Sequence, residues 1–153
     1  MIGALTPADR WEIADLLATI AFASDTRDLS SLDRVFVSEA TIDFGAGGAP
    51  REGLDEIKAG MMKTLKPLDA TQHLVSTSIV TATDSGAHAR THWVAHHIQT
   101  GAAGGHRFTV AGTYEDDFAR RANENWRLIH RTIFVSWTDG NPAVLGGAVG
   151  LPG

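Results

Sequence analysis

Two residues stand where an ionisable side chain is costly unless it has a task. Asp25 follows a run of apolar residues at helical spacing, Ile13, Leu16, Leu17, Ile20 and Ala21. It lies four residues past Ala21 and eight past Leu17, on the same helix face. It also sits at the negative, C-terminal end of that helix. A buried carboxylate there needs a partner, and a histidine or arginine would serve. The alternative reading leaves it exposed at the head of the loop Asp25-Thr26-Arg27-Asp28. His73 opens a strand on whose same face lie Val75, Thr77 and Ile79. Its ring therefore points into the core or into a pocket. It is either a core histidine with both nitrogens satisfied or a group able to take up a proton near neutral pH.

The remaining histidines do not make a metal site. His88, His92 and His96 share one strand face, but side chains four residues apart on a strand are separated by about 13 Å, too far for one ion. His96 and His97 point to opposite faces. A solvated face or a subunit contact accounts better for the row. Trp93, on the other face among small neighbours, is expected on the concave side. Phe108, Val110, Gly112 and Tyr114 share a face of the next strand, either as pocket walls or as core under the helices. On the last strand, alternation counted from Trp126 turns His130 toward the pocket and Arg131 away, unless a bulge intervenes. Phe22, in the last turns of the first helix, joins Trp93, Phe108, Val110, Tyr114 and His130 as an expected substrate contact. The glycine-rich segments 45–48 and 101–105 lack the strand–glycine–helix setting of a phosphate cradle and read as turns. No metal, nucleotide or flavin cofactor is expected.

The elements that must position these residues are legible in outline. Thr6-Pro7-Ala8-Asp9 is a helix start, with an N-cap, a proline at the first position and an acid at the positive end of the dipole. That helix should end near Ser24–Asp25. A second, shorter helix is expected over 28–35, a short strand over 40–44 and a third helix over 53–64. After Pro67 the period changes from helical to alternating. Strands are expected at 70–83, 87–100, 107–119 and 126–138, joined by short turns into an antiparallel meander. The tail, 139–153, is rich in Gly, Pro and Ala and is expected to be a loose end or an arm over a neighbour. Three helices followed by a long sheet imply an α+β domain. Its cone-shaped, curled antiparallel sheet, an α+β barrel, would pack on the N-terminal helices and leave a pocket at one end.

Composition narrows the classes. The 153 residues fit one domain, 1–153, with a core at about 6–138. A formal charge of −5 argues against phosphate-driven nucleic-acid binding. The absence of cysteine removes disulfides and thiolate chemistry. Neither a signal peptide nor a membrane span is read, so a cytoplasmic enzyme or binding protein is the default.

Several patterns together resemble the SnoaL-like branch of the nuclear-transport-factor-2-like superfamily. They are the helix ending Phe22-Ala23-Ser24-Asp25, the strand start Thr71-Gln72-His73, Ala111-Gly112-Thr113-Tyr114 with Phe118 and Arg120, and Trp126-Arg127-Leu128-Ile129 with Arg131. The resemblance runs to about Trp137. It implies that Asp25 and His73 occupy the positions of an Asp–His pair in the dehydratase- and dehydrochlorinase-like members, where the histidine is the base and the aspartate orients it. Where the dehydrochlorinase has a lysine five residues before its aspartate, this chain has Ile20, and no cation for a halide leaving group is evident. The expected activity is a cofactor-free lyase, dehydratase-like, or an isomerase or cyclase acting on a small hydrophobic cyclic substrate. The alternatives are a non-catalytic small-ligand carrier and a small subunit of a ring-hydroxylating dioxygenase. A homo-oligomer is expected, trimer or dimer, through the sheet face bearing His88, His92 and His96, with no nucleic-acid or membrane partner.

Overall fold

The computed structural model describes residues 3–45, 47–121 and 124–147. Helix α1 runs Pro7–Thr26. Its start is a reciprocal capping box. The Thr6 hydroxyl accepts from the Asp9 N–H, and the Asp9 carboxylate accepts from the Thr6 N–H at 2.8 Å. The same carboxylate accepts the Trp126 indole N–H at 3.0 Å and pairs with Arg120, tying the helix start to the last strand. These bonds, from Trp126 first and then Thr6, hold the Asp9 carboxyl well below the usual carboxylate range.

The segment expected as a second helix is a 3-10 turn, Leu29–Arg34. Strand β1 starts earlier than expected and covers Phe36–Phe44; β2 is Arg51–Glu52, and helix α2 is Leu54–Leu65. The long strands follow as β3 Ala70–Ala82, β4 Ala87–Ile98, β5 Arg107–Ala119 and β6 Arg127–Gly140. The six strands lie in the order β2-β1-β6-β5-β4-β3. All neighbours are antiparallel except β1 and β6, which run parallel. The sheet is thus mixed rather than purely antiparallel, and it is curled but unclosed. Its β3 edge is met by both ends of α1. Arg10 donates to the Val80 carbonyl, and Asp25 accepts from the His73 N–H, so two exposed edge groups gain partners.

Bulges in β3 and β6 reset which side chains face inward. Thr77 is an extra residue in β3, and Ile129 and Ser136 are extra residues in β6. Beside the Ser136 bulge the strands approach so closely that a Cβ on Gly112 would collide with the Phe134 carbonyl. One core cluster joins α1, the 3-10 turn and β1 through Ile13, Leu32, Phe36 and Trp126. A second joins Leu65, Trp93, Phe108, Val110 and Tyr114 with Val144. Val144 belongs to a 3-10 turn, Pro142–Leu145, which brings that one side chain of the expected loose tail into the core. The expected turn at 122–125, the glycine-rich run around residue 46 and the end of the tail fall partly outside the described residues. Among the described residues no helix is long and apolar enough to cross a membrane.

Candidate active site

A cavity of about 270 Å³ lies between the concave face of the sheet and the helices. That is just below the usual range for ligand pockets, which begins at about 300 Å³. Its walls are mostly apolar, with Leu17, Ile20 and Ala21 from α1, Met61 and Leu65 from α2, and Val75, Val110 and Ile133 from the sheet. Leu145, in the turn after β6, also lines it. The polar lining comes from Ser24, Arg51, Thr64, His73, Trp93, His97, Tyr114 and Arg131.

Asp25 and His73 meet at the edge of this cavity. The carboxylate accepts the His73 backbone N–H with both oxygens, at 3.0 and 2.9 Å, and bonds the ring Nδ1 at 2.7 Å. These bonds compensate a carboxylate in the last turn of a helix that carries no basic residue there. A carboxylate can only accept, so the neutral ring carries its proton on Nδ1 and presents the Nε2 lone pair. Among the described residues Nε2 has no hydrogen-bond partner, and His73 lines the cavity.

His97 is a second imidazole on the cavity wall, 5.6 Å from His73 between ring centroids and edge-on to it. It bonds Thr71 Oγ1 through Nδ1 at 2.9 Å. Burial, with the charges of His73 and His96 adding to it, lowers its pKa to about 4. Its even spacing from Trp93 is the sequence signal that places it on the concave face.

Of the other expected contacts, Trp93, Val110 and Tyr114 line the cavity. Trp93 stacks on Tyr114, centroids 5.1 Å apart and planes within 8°. Among the described residues the buried Trp93 indole N–H has no acceptor, so stacking and packing hold the ring rather than a hydrogen bond. Three expectations need correction. Phe22 is 71% exposed on the outer side of α1, one residue past the inward Ala21. Phe108 is fully buried under Val144, as core rather than cavity wall. His130 lies on the outer face, bonded to Thr41 and Thr132. The Ile129 bulge explains the last case, because one extra residue reverses the parity and turns Arg131 inward instead.

Arg131 therefore brings a cation to the cavity, which the unbulged alternation had hidden. It is 3% exposed and forms a two-point bridge to the buried Asp116, Nε to Oδ1 at 2.6 Å and Nη2 to Oδ2 at 2.8 Å. Burial works against this charge, and Asp116 outweighs it, so the guanidinium stays protonated. Its Cζ sits 3.9 Å from the Tyr114 ring centroid. Among the described residues no group of three or more His, Asp or Glu is arranged to hold a metal ion.

A model of the SnoaL-like domain matches residues 6–132. The chain belongs to the SnoaL-like domain family. An uncharacterised protein of Mycobacterium tuberculosis is 28% identical over 131 residues, covering 86% of this chain and 88% of that one. The terrestric acid biosynthesis cluster protein E of Penicillium crustosum is 26% identical over 148 residues, 93% of this chain and 94% of its own. Among solved structures, a protein of Kribbella flavida superposes with a TM-score of 0.81 at 26% identity, covering 90% of this chain and 97% of that one. A candidate scytalone dehydratase of Novosphingobium aromaticivorans gives 0.77 at 17% identity over 88% of each chain. A hexachlorocyclohexane dehydrochlorinase gives 0.76 at 15% identity, over 88% of this chain and 89% of that one. The last two likenesses are of fold. This SnoaL-like chain thus has the nuclear-transport-factor-2-like architecture, the fold of the candidate scytalone dehydratase and dehydrochlorinase structures.

Proposed function

We propose that this SnoaL-like protein is a cofactor-free lyase or isomerase in which His73 removes a carbon-bound proton from a small, hydrophobic, cyclic substrate. The observation that carries the reading is the state of the His73 ring. One nitrogen is held by Asp25, and the other is unpaired among the described residues in a ring that lines a mostly apolar cavity. Asp25 fixes the tautomer and would stabilise the imidazolium that forms on proton transfer. A ligand carrier with a purely structural His73 would have both ring nitrogens satisfied by protein groups, whereas here Nε2 has no partner among the described residues. His97, buried and disfavoured as a cation, supports the reading as a neutral neighbour that does not repel a positive charge on His73. The apolar walls suit a substrate bound chiefly by burial. A cytoplasmic location belongs to the same proposal.

The test is proton exchange. The protein is mixed with 2-tetralone and related small cyclic ketones in deuterium oxide, and loss of the acidic C–H signal is followed by NMR. Wild-type protein should accelerate exchange, and His73→Gln should lower that acceleration by about a hundredfold or more. Asp25→Asn should also be severe, because an amide can hold the wrong tautomer. A folded His73→Gln protein that exchanges at the wild-type rate would refute the base assignment.

A further inference from the structure

The cavity holds a second polar feature that base chemistry at His73 does not use. Tyr114 is 8% exposed, yet among the described residues its hydroxyl has no hydrogen-bond partner, while its ring is fixed by Trp93 on β4 and by the Arg131 guanidinium on β6. The register explains the order. Trp93 lies opposite Gly112, Tyr114 opposite Ile133 and Arg131 opposite Asp116, so along β5 the tyrosine sits between the levels of the indole and the guanidinium. Arg131 spends two of its three nitrogens, Nε and Nη2, on Asp116. Nη1 has no partner among the described residues, and both residues line the cavity that His73 lines. A protonated phenol and a guanidinium arm, both without acceptors in one apolar cavity, form a pair of donors for an oxygen.

We propose that the Tyr114 hydroxyl and Arg131 Nη1 bind the carbonyl oxygen of an enolisable substrate and hold the negative charge that develops there when His73 takes the proton. This rests on the base assignment to His73. The step balances without a co-reactant. The C–H bond next to the carbonyl breaks, its proton passes to His73 Nε2, and its electron pair becomes the C=C bond of an enolate. The carbonyl π pair moves onto the oxygen, facing Tyr114 and Arg131. Return of the proton at another carbon completes an isomerisation. Loss of a β-hydroxyl, leaving as water with the proton returned by His73, completes a dehydration. Burial, with the charges of Asp116 and Asp25 adding and Arg131 opposing, pushes the Tyr114 hydroxyl up to about 12, so it remains a donor throughout. Asp116 has a complementary task. It offsets the full charge of Arg131 in the resting cavity, so that a neutral carbonyl enters readily and the two donors respond to charge only as it forms.

The site can be read without turnover by a stable oxyanion. 4-Nitrophenol, whose visible spectrum separates phenol from phenolate, is titrated with the protein at a pH below the phenol's own pKa. Wild-type protein should bind it as the yellow phenolate. Tyr114→Phe, which keeps the ring and both stacking contacts, should weaken phenolate binding about tenfold to a hundredfold. Because Arg131→Met alone strands a buried carboxylate, the second variant is the double change Arg131→Met with Asp116→Leu, which should lose the phenolate spectrum altogether. His73→Gln should retain it. Phenolate bound equally well by wild type, Tyr114→Phe and the double variant would overturn the proposal, while loss of exchange in His73→Gln would still uphold the base. Loss of the phenolate spectrum in His73→Gln alone would also overturn it, by showing that the anion rests on His73.

Discussion

His97 makes the stability of this protein depend on pH in a calculable way. Its pKa falls from an ordinary 6.5 to about 4 because it is buried, beside His73 and His96. In the unfolded chain the same ring takes up a proton as the pH drops through 6.5. Between pH 6.5 and 4 the unfolded state therefore binds more protons than the folded one, and stability must fall as the pH is lowered. Above 6.5 both states are neutral at this ring and the effect levels off. At about 1.4 kcal/mol per pH unit, the window from 6.5 to about 4 amounts to about 3 kcal/mol. His88, on the outer face, has the opposite sign. Burial opposes its charge, but its bonds to Asp117 and Glu115 and their charges raise its pKa, so it favours folding at low pH. A difference measurement separates the two. His97→Gln keeps a polar group near Thr71 but has no proton to gain. Urea unfolding of both proteins from pH 7 to 4 should show the wild type losing about 3 kcal/mol more than the variant. Parallel losses would mean that His97 is not held neutral by the cavity wall.

Arg131→Met should cost about 3–5 kcal/mol in chemical denaturation, because Asp116 is left as a buried unpaired carboxylate, and adding Asp116→Leu should recover much of the loss. Gly112→Ala should destabilise by about 1–3 kcal/mol, as its Cβ meets the Phe134 carbonyl where β5 and β6 close on the Ser136 bulge. We expect a homo-oligomer, trimer or dimer, built on the outer sheet face, where Leu74, Val94, Ala111 and Trp137 stand in one row across four strands. Leu74 and Trp137 are 51% and 53% exposed, so Leu74→Glu with Trp137→Glu should yield a monomer by light scattering, and a monomeric wild type at micromolar concentration would contradict the expectation.

The long elements were legible because each carries its own period. β5 falls on 107–119 as the alternation from Arg107 to Ala119 demands, and α1 begins where Thr6, Pro7 and Asp9 say it should. Pairing was less legible. Nothing in the run from Phe36 to Phe44 states that it will lie parallel to β6, and Phe36 fits an inward helical position as well as the strand end it occupies. Bulges were not legible at all. A single extra residue at Ile129 exchanges His130 for Arg131 at the cavity, and no local pattern distinguishes Leu128-Ile129-His130 from an unbulged strand. Within unbulged stretches parity held: Trp93, Ala95 and His97 face one way, and so do Val110 and Tyr114. Phe22 failed for another reason. Phe22 is one residue past the inward Ala21, and a single helical step of about 100° carries its side chain off the buried face.

The most direct test of the central claim is the proton on the His73 ring. Long-range 15N–1H correlation spectra of the labelled protein, at a pH where the ring is neutral, identify which nitrogen is protonated. The Asp25 contact predicts the proton on Nδ1, an unprotonated Nε2, and an Nε2 resonance that shifts when 2-tetralone or 4-nitrophenol enters the cavity. Asp25→Asn should disturb that tautomer. A neutral His73 carrying its proton on Nε2, or an Nε2 resonance indifferent to either molecule once bound, would contradict the account.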